Sequence, residues 1–307
     1  MAHEPILAAP DASIVLSRHG AGSTLLSDYW RMTKPEVSFL IAVTTAAGFY
    51  LGSSAAPSRF ALILLLHTLV GTVLVAGGAA ALNQWMEYPF DARMRRTVRR
   101  PIAAGCIDPK HGLTFGAFLS LAGLAYLLLA AGVLPSMLAL VTLVGYLGAY
   151  TPLKRITPLC TFVGAIPGAV APLIGWAAAR GHLDPEAWVL FLIVFLWQFP
   201  HFMSIAWMYR DDYDRAGYLV LPDSGTRVLF VTVQTLLPLA GLLPVSLLPV
   251  RAGEPSTFYS ICALLLTLGF LYFGARFALR RSGSAARRLL TASIIYLPAL
   301  LLLMIFA

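Results

Sequence analysis

Residues 61–91 read ALILLLHTLVGTVLVAGGAAALNQWMEYPFD, an apolar run that closes on Asn83, Glu87 and Asp91. About 20 mostly apolar residues suffice to cross the hydrocarbon core as a helix, and 61–83 meets that length. Asn83, Glu87 and Asp91 recur every four residues, so on a helix their oxygens share one face. Like charges at that spacing repel, and carboxylates at a membrane edge are costly without a partner. In a chain with only 14 Asp and Glu, such a face calls for a cation. Hard oxygen donors suit Mg²⁺, which is commonly held by one or two carboxylates plus substrate phosphates. A solvated helix end is the plainer reading of the same letters.

Working outward, the chain alternates apolar runs with short polar breaks. Runs at about 35–53, 61–83, 112–132, 135–151, 159–179, 187–209, 228–249, 257–278 and 288–306 predict nine transmembrane helices. Of the 307 residues 59% are hydrophobic and 12% charged, against roughly 25% charged in soluble domains. The expected class is an all-α integral membrane protein. Residues 1–30 read as a flexible tail without a signal-peptide pattern, and 31–307 as one transmembrane domain. Cys106, Cys160 and Cys262 lack metal or disulfide spacing. The net charge of +8 is a topology signal, with no nucleic-acid partner expected. With a cytoplasmic N-terminus, all of the 22 Lys and Arg except Arg59, Arg180 and Arg251 fall on the cytoplasmic side.

A second acidic cluster, Arg210-Asp211-Asp212-Tyr213-Asp214-Arg215, follows the sixth run on that same side. It reads either as further metal ligands or as local ion pairs. The run Arg93, Arg95, Arg96, Arg99, Arg100 and the segment Tyr150-Thr151-Pro152-Leu153-Lys154-Arg155 read either as topology anchors or as phosphate ligands, since Arg grips phosphate in a bidentate way. His201, within the sixth run, is open to three functional readings: a hydrogen bond to a carboxylate, contact with substrate, or ligation of a haem iron. A helix–helix hydrogen bond is the alternative. His67 reads as structural.

The pattern Asn83-x-x-x-Glu87-x-x-x-Asp91 with a second Asp-rich loop resembles the UbiA-type intramembrane prenyltransferases. More closely, Arg96-Thr97-x-x-Arg100-Pro101-Ile102, the Tyr150–Pro158 segment, Gly164 to Trp176, Trp197-Gln198-x-Pro200-His201-Phe202 and Asp212 to Pro222 resemble the haem O synthase branch. The matching segments run in order from about residue 30 to 225. Departures are Glu87 where the family often has Asp, Val98-Arg99 for Lys-Asn, and Tyr218-Leu219-Val220 ahead of Leu221-Pro222.

The resemblance implies a bundle with a central cavity open to the cytoplasm, in a bacterial inner membrane. It implies farnesyl transfer from farnesyl diphosphate to a vinyl group of protohaem IX, with haem B as a substrate. It implies Mg²⁺ on Asn83, Glu87, Asp91 and Asp212, with Asp211 and Asp214 as weaker candidates. Arg96, Arg100, Lys154 and Arg155 would neutralise the diphosphate, with Tyr150 and His201 near substrate. Trp85, Tyr88 and Trp197, alongside Tyr150, are candidates to steady an allylic cation. Membrane lipid and haem A synthase are the implied partners. Two readings compete: a prenyltransferase with another acceptor, and a secondary transporter, whose charges would be expected near the midplane.

Overall fold

A computed structural model describes residues 24–53, 59–248 and 256–306. The chain is all-helical there: α1 (Leu25–Met32), α2 (Pro35–Gly52), α3 (Arg59–Asp91), α4 (Pro109–Ala130), α5 (Val133–Leu153), α6 (Cys160–Gly168), α7 (Ala171–Arg180), α8 (Pro185–Met208), α9 (Arg210–Ala216), α10 (Ser224–Val245), α11 (Thr257–Arg280) and α12 (Gly283–Phe306). Nine segments among the described residues are long and apolar enough to cross a membrane, with α6 and α7 together forming one. The protein is an integral membrane protein. Large apolar side chains such as Leu129 (87% exposed) and Phe118 (70%) cover its outside, as contact with lipid tails requires.

Lipid offers no hydrophobic drive for helix association, so close packing has to supply it. Where α2 crosses α7, a Cβ on Gly175 would overlap the carbonyl oxygen of Thr45, and one on Gly48 would overlap that of Pro172. Gly78 meets Ser120 in the same way where α3 runs beside α4. His67 reaches Tyr126 Oη at 2.6 Å across the α3–α4 contact, as its structural reading expected.

Three differences from the sequence expectation matter. The helix of the second span does not stop near residue 83 but continues to Asp91, with Pro89 in its last turn. A proline missing its N–H is tolerated so near a terminus more readily than in mid-helix. Second, α5 widens to a π-helical turn over Gly145–Tyr150, a form frequent at functional sites. Third, α1 occupies part of the expected tail, capped by Thr24, whose side chain accepts from the Ser27 N–H. Residues 1–23 of that tail, and the topology positions Arg18 and Arg251, lie outside the described residues.

Candidate active site

The buried ionisable groups Glu87, Asp91, Lys154 and Asp212 gather at one end of the bundle. Asp91 is fully buried, Asn83 1% and Glu87 3% exposed, although all three lie on the final turns of α3. Chain folded back from elsewhere covers them. The stretch after α3 turns at once: Thr97 Oγ1 donates to the Asp91 carbonyl (3.0 Å) and the Met94 N–H reaches the same oxygen (3.2 Å). That turn returns Arg100 to the carboxylate of Asp91, donating to both oxygens at 2.8 and 2.7 Å.

Lys154, just past the end of α5, donates to Glu87 at 2.6 Å and sits over the Tyr150 ring at 4.6 Å. Burial opposes the Lys154 charge, and Glu87 beside it outweighs that penalty, so its pKa is raised. Asn83 donates to Thr151 Oγ1 (3.1 Å) and accepts from Lys34 (3.4 Å). Lys34 has a left-handed backbone (φ 47°) directly before Pro35, a conformation costing a non-glycine residue on the order of 1–3 kcal/mol. Burial, with Arg100 and Lys154 nearby, lowers its pKa to about 7.

These groups line one cavity of about 180 Å³, with Asn83, Glu87 and Asp91 on one wall and Lys34, Arg96, Arg100 and Lys154 around it. Tyr146 and Tyr150, stacked at 5.5 Å on the π-helical turn, and Phe202 form apolar lining. Tyr218, also buried, lines it as well. The repulsion expected between Glu87 and Asp91 is met by cations of the protein itself, one on each carboxylate.

The second cluster is distributed differently. Asp212 is buried (7% exposed); its Oδ2 accepts the Arg96 N–H at 3.2 Å and its Oδ1 pairs with Arg215 at 3.0 Å. Arg96 in turn reaches Tyr213 Oη at 3.1 Å and lies over Tyr209 at 5.0 Å. Asp212 therefore holds the arginine loop from outside the cavity lining. Asp211 is largely exposed beside Arg210, and Asp214 pairs with Arg227. Arg155 lies over Phe90 at 4.1 Å and reaches the Met86 carbonyl, also outside the lining. The Leu219 N–H donates to the Lys154 carbonyl at 2.7 Å, tying the two loops together.

His201 turns away from the cavity. Its Nδ1 meets Ser293 Oγ on α12 at 2.8 Å, and its ring stacks on Trp197, whose N–H donates to the Ser293 carbonyl. This is the helix–helix hydrogen bond, not a contact with a carboxylate. Of the aromatic residues named as cation-steadying candidates, Tyr150 lines the cavity and Trp85, Tyr88 and Trp197 do not. Sequence reasoning missed Lys34, Tyr146, Tyr213 and Tyr218. Lys34 was counted only as a topology charge. Tyr146 could have been found from its i, i−4 spacing to Tyr150.

Comparison with known proteins bears on this site. The model of the UbiA prenyltransferase family matches residues 41–298. The chain is 45% identical over 286 residues to the protoheme IX farnesyltransferase of Solibacter usitatus, covering 91% of this chain and 98% of that one. It is 38% identical over 279 residues to the mitochondrial protoheme IX farnesyltransferase of Homo sapiens, covering 90% of this chain and 61% of that one. In fold it is similar to a digeranylgeranylglyceryl phosphate synthase (TM-score 0.72, 17% identity, 91% of this chain and 97% of that one). It is also similar to a UbiA homologue from Archaeoglobus fulgidus bound to GPP and Mg²⁺ (TM-score 0.62, 15% identity, 92% and 100%).

Proposed function

Because the chain belongs to the UbiA prenyltransferase family, we propose that it transfers a farnesyl group from farnesyl diphosphate to a vinyl group of protohaem IX, giving haem O and diphosphate. The observation that carries the choice of acceptor is the 45% identity to a protoheme IX farnesyltransferase along nearly the whole of both chains. The cavity supports the chemistry: an anion-attracting ring of Lys34, Arg96, Arg100 and Lys154 surrounds Asn83, Glu87 and Asp91.

No three His, Cys, Asp or Glu converge as a metal cage among the described residues. Two carboxylates and an amide on one wall do fit Mg²⁺, which takes much of its coordination from phosphate and water. Asn83, Glu87 and Asp91 would hold it, with Asp212 acting through the arginine loop. Bound there with the diphosphate, the metal would supply charge neutralisation at the leaving group.

The residues of the chain do the rest. As a diphosphate enters, Lys154 and Arg100 turn part of their hydrogen bonding from Glu87 and Asp91 to phosphate oxygens, while Arg96 and Lys34 close from the sides. The allylic C–O bond breaks and its electron pair leaves with the diphosphate. Preorganised cations favour this step because charge builds there. Tyr146 and Tyr150 face the allylic cation with their rings, each contributing about 0.5–2 kcal/mol. The vinyl group of the porphyrin forms the new C–C bond. Water adds at the neighbouring carbon and loses a proton, leaving the hydroxyl.

The site end faces the cytoplasm of a bacterial inner membrane in this reading, with haem O passing on to an oxidising enzyme of the haem A synthase kind. The test is incubation of purified protein with protohaem, farnesyl diphosphate and Mg²⁺, followed by mass analysis of the haems. Haem O formation is expected. Prenylation of a different acceptor only, or solute uptake by proteoliposomes with no prenyl product, would replace this reading.

A further inference from the structure

Beside the cavity lies a second recess of about 280 Å³, lined by Arg31, Lys34, Arg96, Arg99 and Arg100, with Gln84 in its wall. Among the described residues no Asp or Glu lines it. Lys34, Arg96 and Arg100 are shared with the carboxylate-bearing cavity, and Arg100 is already committed to Asp91. Arg31 and Arg99 belong to the recess alone. Arg31 is anchored, donating to the Arg99 carbonyl at 3.3 Å and pairing with Asp28 at 3.5 Å. The Arg99 side chain has no hydrogen bond or ion pair among the described residues. Gln84 donates to the Met32 carbonyl, and its buried Oε1 has no hydrogen-bond partner among the described residues. The recess is thus a cationic pocket that its own hydrogen bonds do not close.

Two anionic substrates meet in the proposed reaction. The diphosphate has its place against Glu87 and Asp91. Protohaem carries two propionate carboxylates, on the edge of the macrocycle opposite its vinyl groups. The guanidinium fork matches a carboxylate in plane and in donor spacing. We propose that this recess is the propionate site of the acceptor, with Arg31 and Arg99 as its specificity-determining residues. Gripping the propionates at the polar end of the bundle turns the vinyl edge inward, toward the allylic carbon in the adjoining cavity. The inference rests on the farnesyl-transfer reading above.

The test compares haem B with its dimethyl ester as acceptors, at saturating farnesyl diphosphate and Mg²⁺. Wild type, Arg31→Gln, Arg99→Gln and the double variant are compared after a gel-filtration check of folding. Wild type prefers the free acid, and that kcat/KM preference falls about ten-fold or more in the double variant. The KM for farnesyl diphosphate stays within about two-fold. Soret titration, which needs no turnover, shows weakened haem binding in the variants and loss of discrimination against the ester. Should the double variant not fold, Arg99→Gln carries the test, since that side chain has no partner to lose. An unchanged preference for the free acid would overturn the proposal. So would a rise in the farnesyl diphosphate KM with haem binding intact, which would give the recess to the diphosphate. A wild type that binds haem with acid-over-ester preference but forms no haem O would strike the reaction and leave the recess standing.

Discussion

The two acidic clusters look alike as letters and differ as structure. In the first, Glu87 and Asp91 are buried on the last turns of α3, each paired with a cation brought from another segment. In the second, Asp211 and Asp214 are exposed or half-exposed and paired with Arg210 and Arg227, while Asp212, paired with Arg215, is buried. Burial separates them. An exposed ion pair contributes about 0–1 kcal/mol, whereas losing one partner of a buried pair costs about 3–5 kcal/mol. A carboxylate kept at that cost, facing a cavity ringed by cations, is placed for chemistry. One that ties down Arg96 is placed to position the chemistry.

Substitutions in the two clusters should differ in cost as their burial does. Glu87→Gln or Lys154→Met should each lower kcat about 10²–10³-fold and lower thermal stability, because the remaining partner is buried without its counter-charge. The double variant Glu87→Gln/Lys154→Met should regain most of that stability and none of the activity, read by melting curves beside haem analysis. Recovery of activity in the double variant would reduce the pair to a structural bridge. Arg100→Gln should cost about 10²-fold in kcat/KM, with the farnesyl diphosphate KM raised. Asp212→Asn should cost about ten-fold, mainly in the same KM, since it acts through the backbone of Arg96. A complete loss there would make Asp212 a direct ligand and erase the distinction between the clusters. Asp211→Asn and Asp214→Asn should stay within about two-fold of wild type.

The spans were readable in the sequence because apolar length is a local property, and among the described residues nine such segments stand at the expected places. The apolar run of α3 ends near residue 83 because polar residues lower hydropathy without interrupting the helical hydrogen-bond ladder, which runs on to Asp91. The spacing of Asn83, Glu87 and Asp91 correctly put them on one face. Their partners could not be read: Lys154 is 67 residues from Glu87, and Asp212 is 116 from Arg96. Lys34 was hidden by its position, since a lysine at the start of a span reads first as a topology charge. His201 shows the reverse. A polar residue at depth suggests function by default, and here its Nδ1 is engaged by Ser293 on α12.

The buried carboxylates at the end of α3 are proposed to build the reaction centre of a haem farnesyltransferase. The most direct test of that role sets Asp91→Asn beside wild type, both purified and shown to be folded, in one assay of haem products by mass with protohaem, farnesyl diphosphate and Mg²⁺. Haem O is expected from wild type, with a loss of about 10³-fold or more in Asp91→Asn. Haem O formed at the wild-type rate by Asp91→Asn would contradict it.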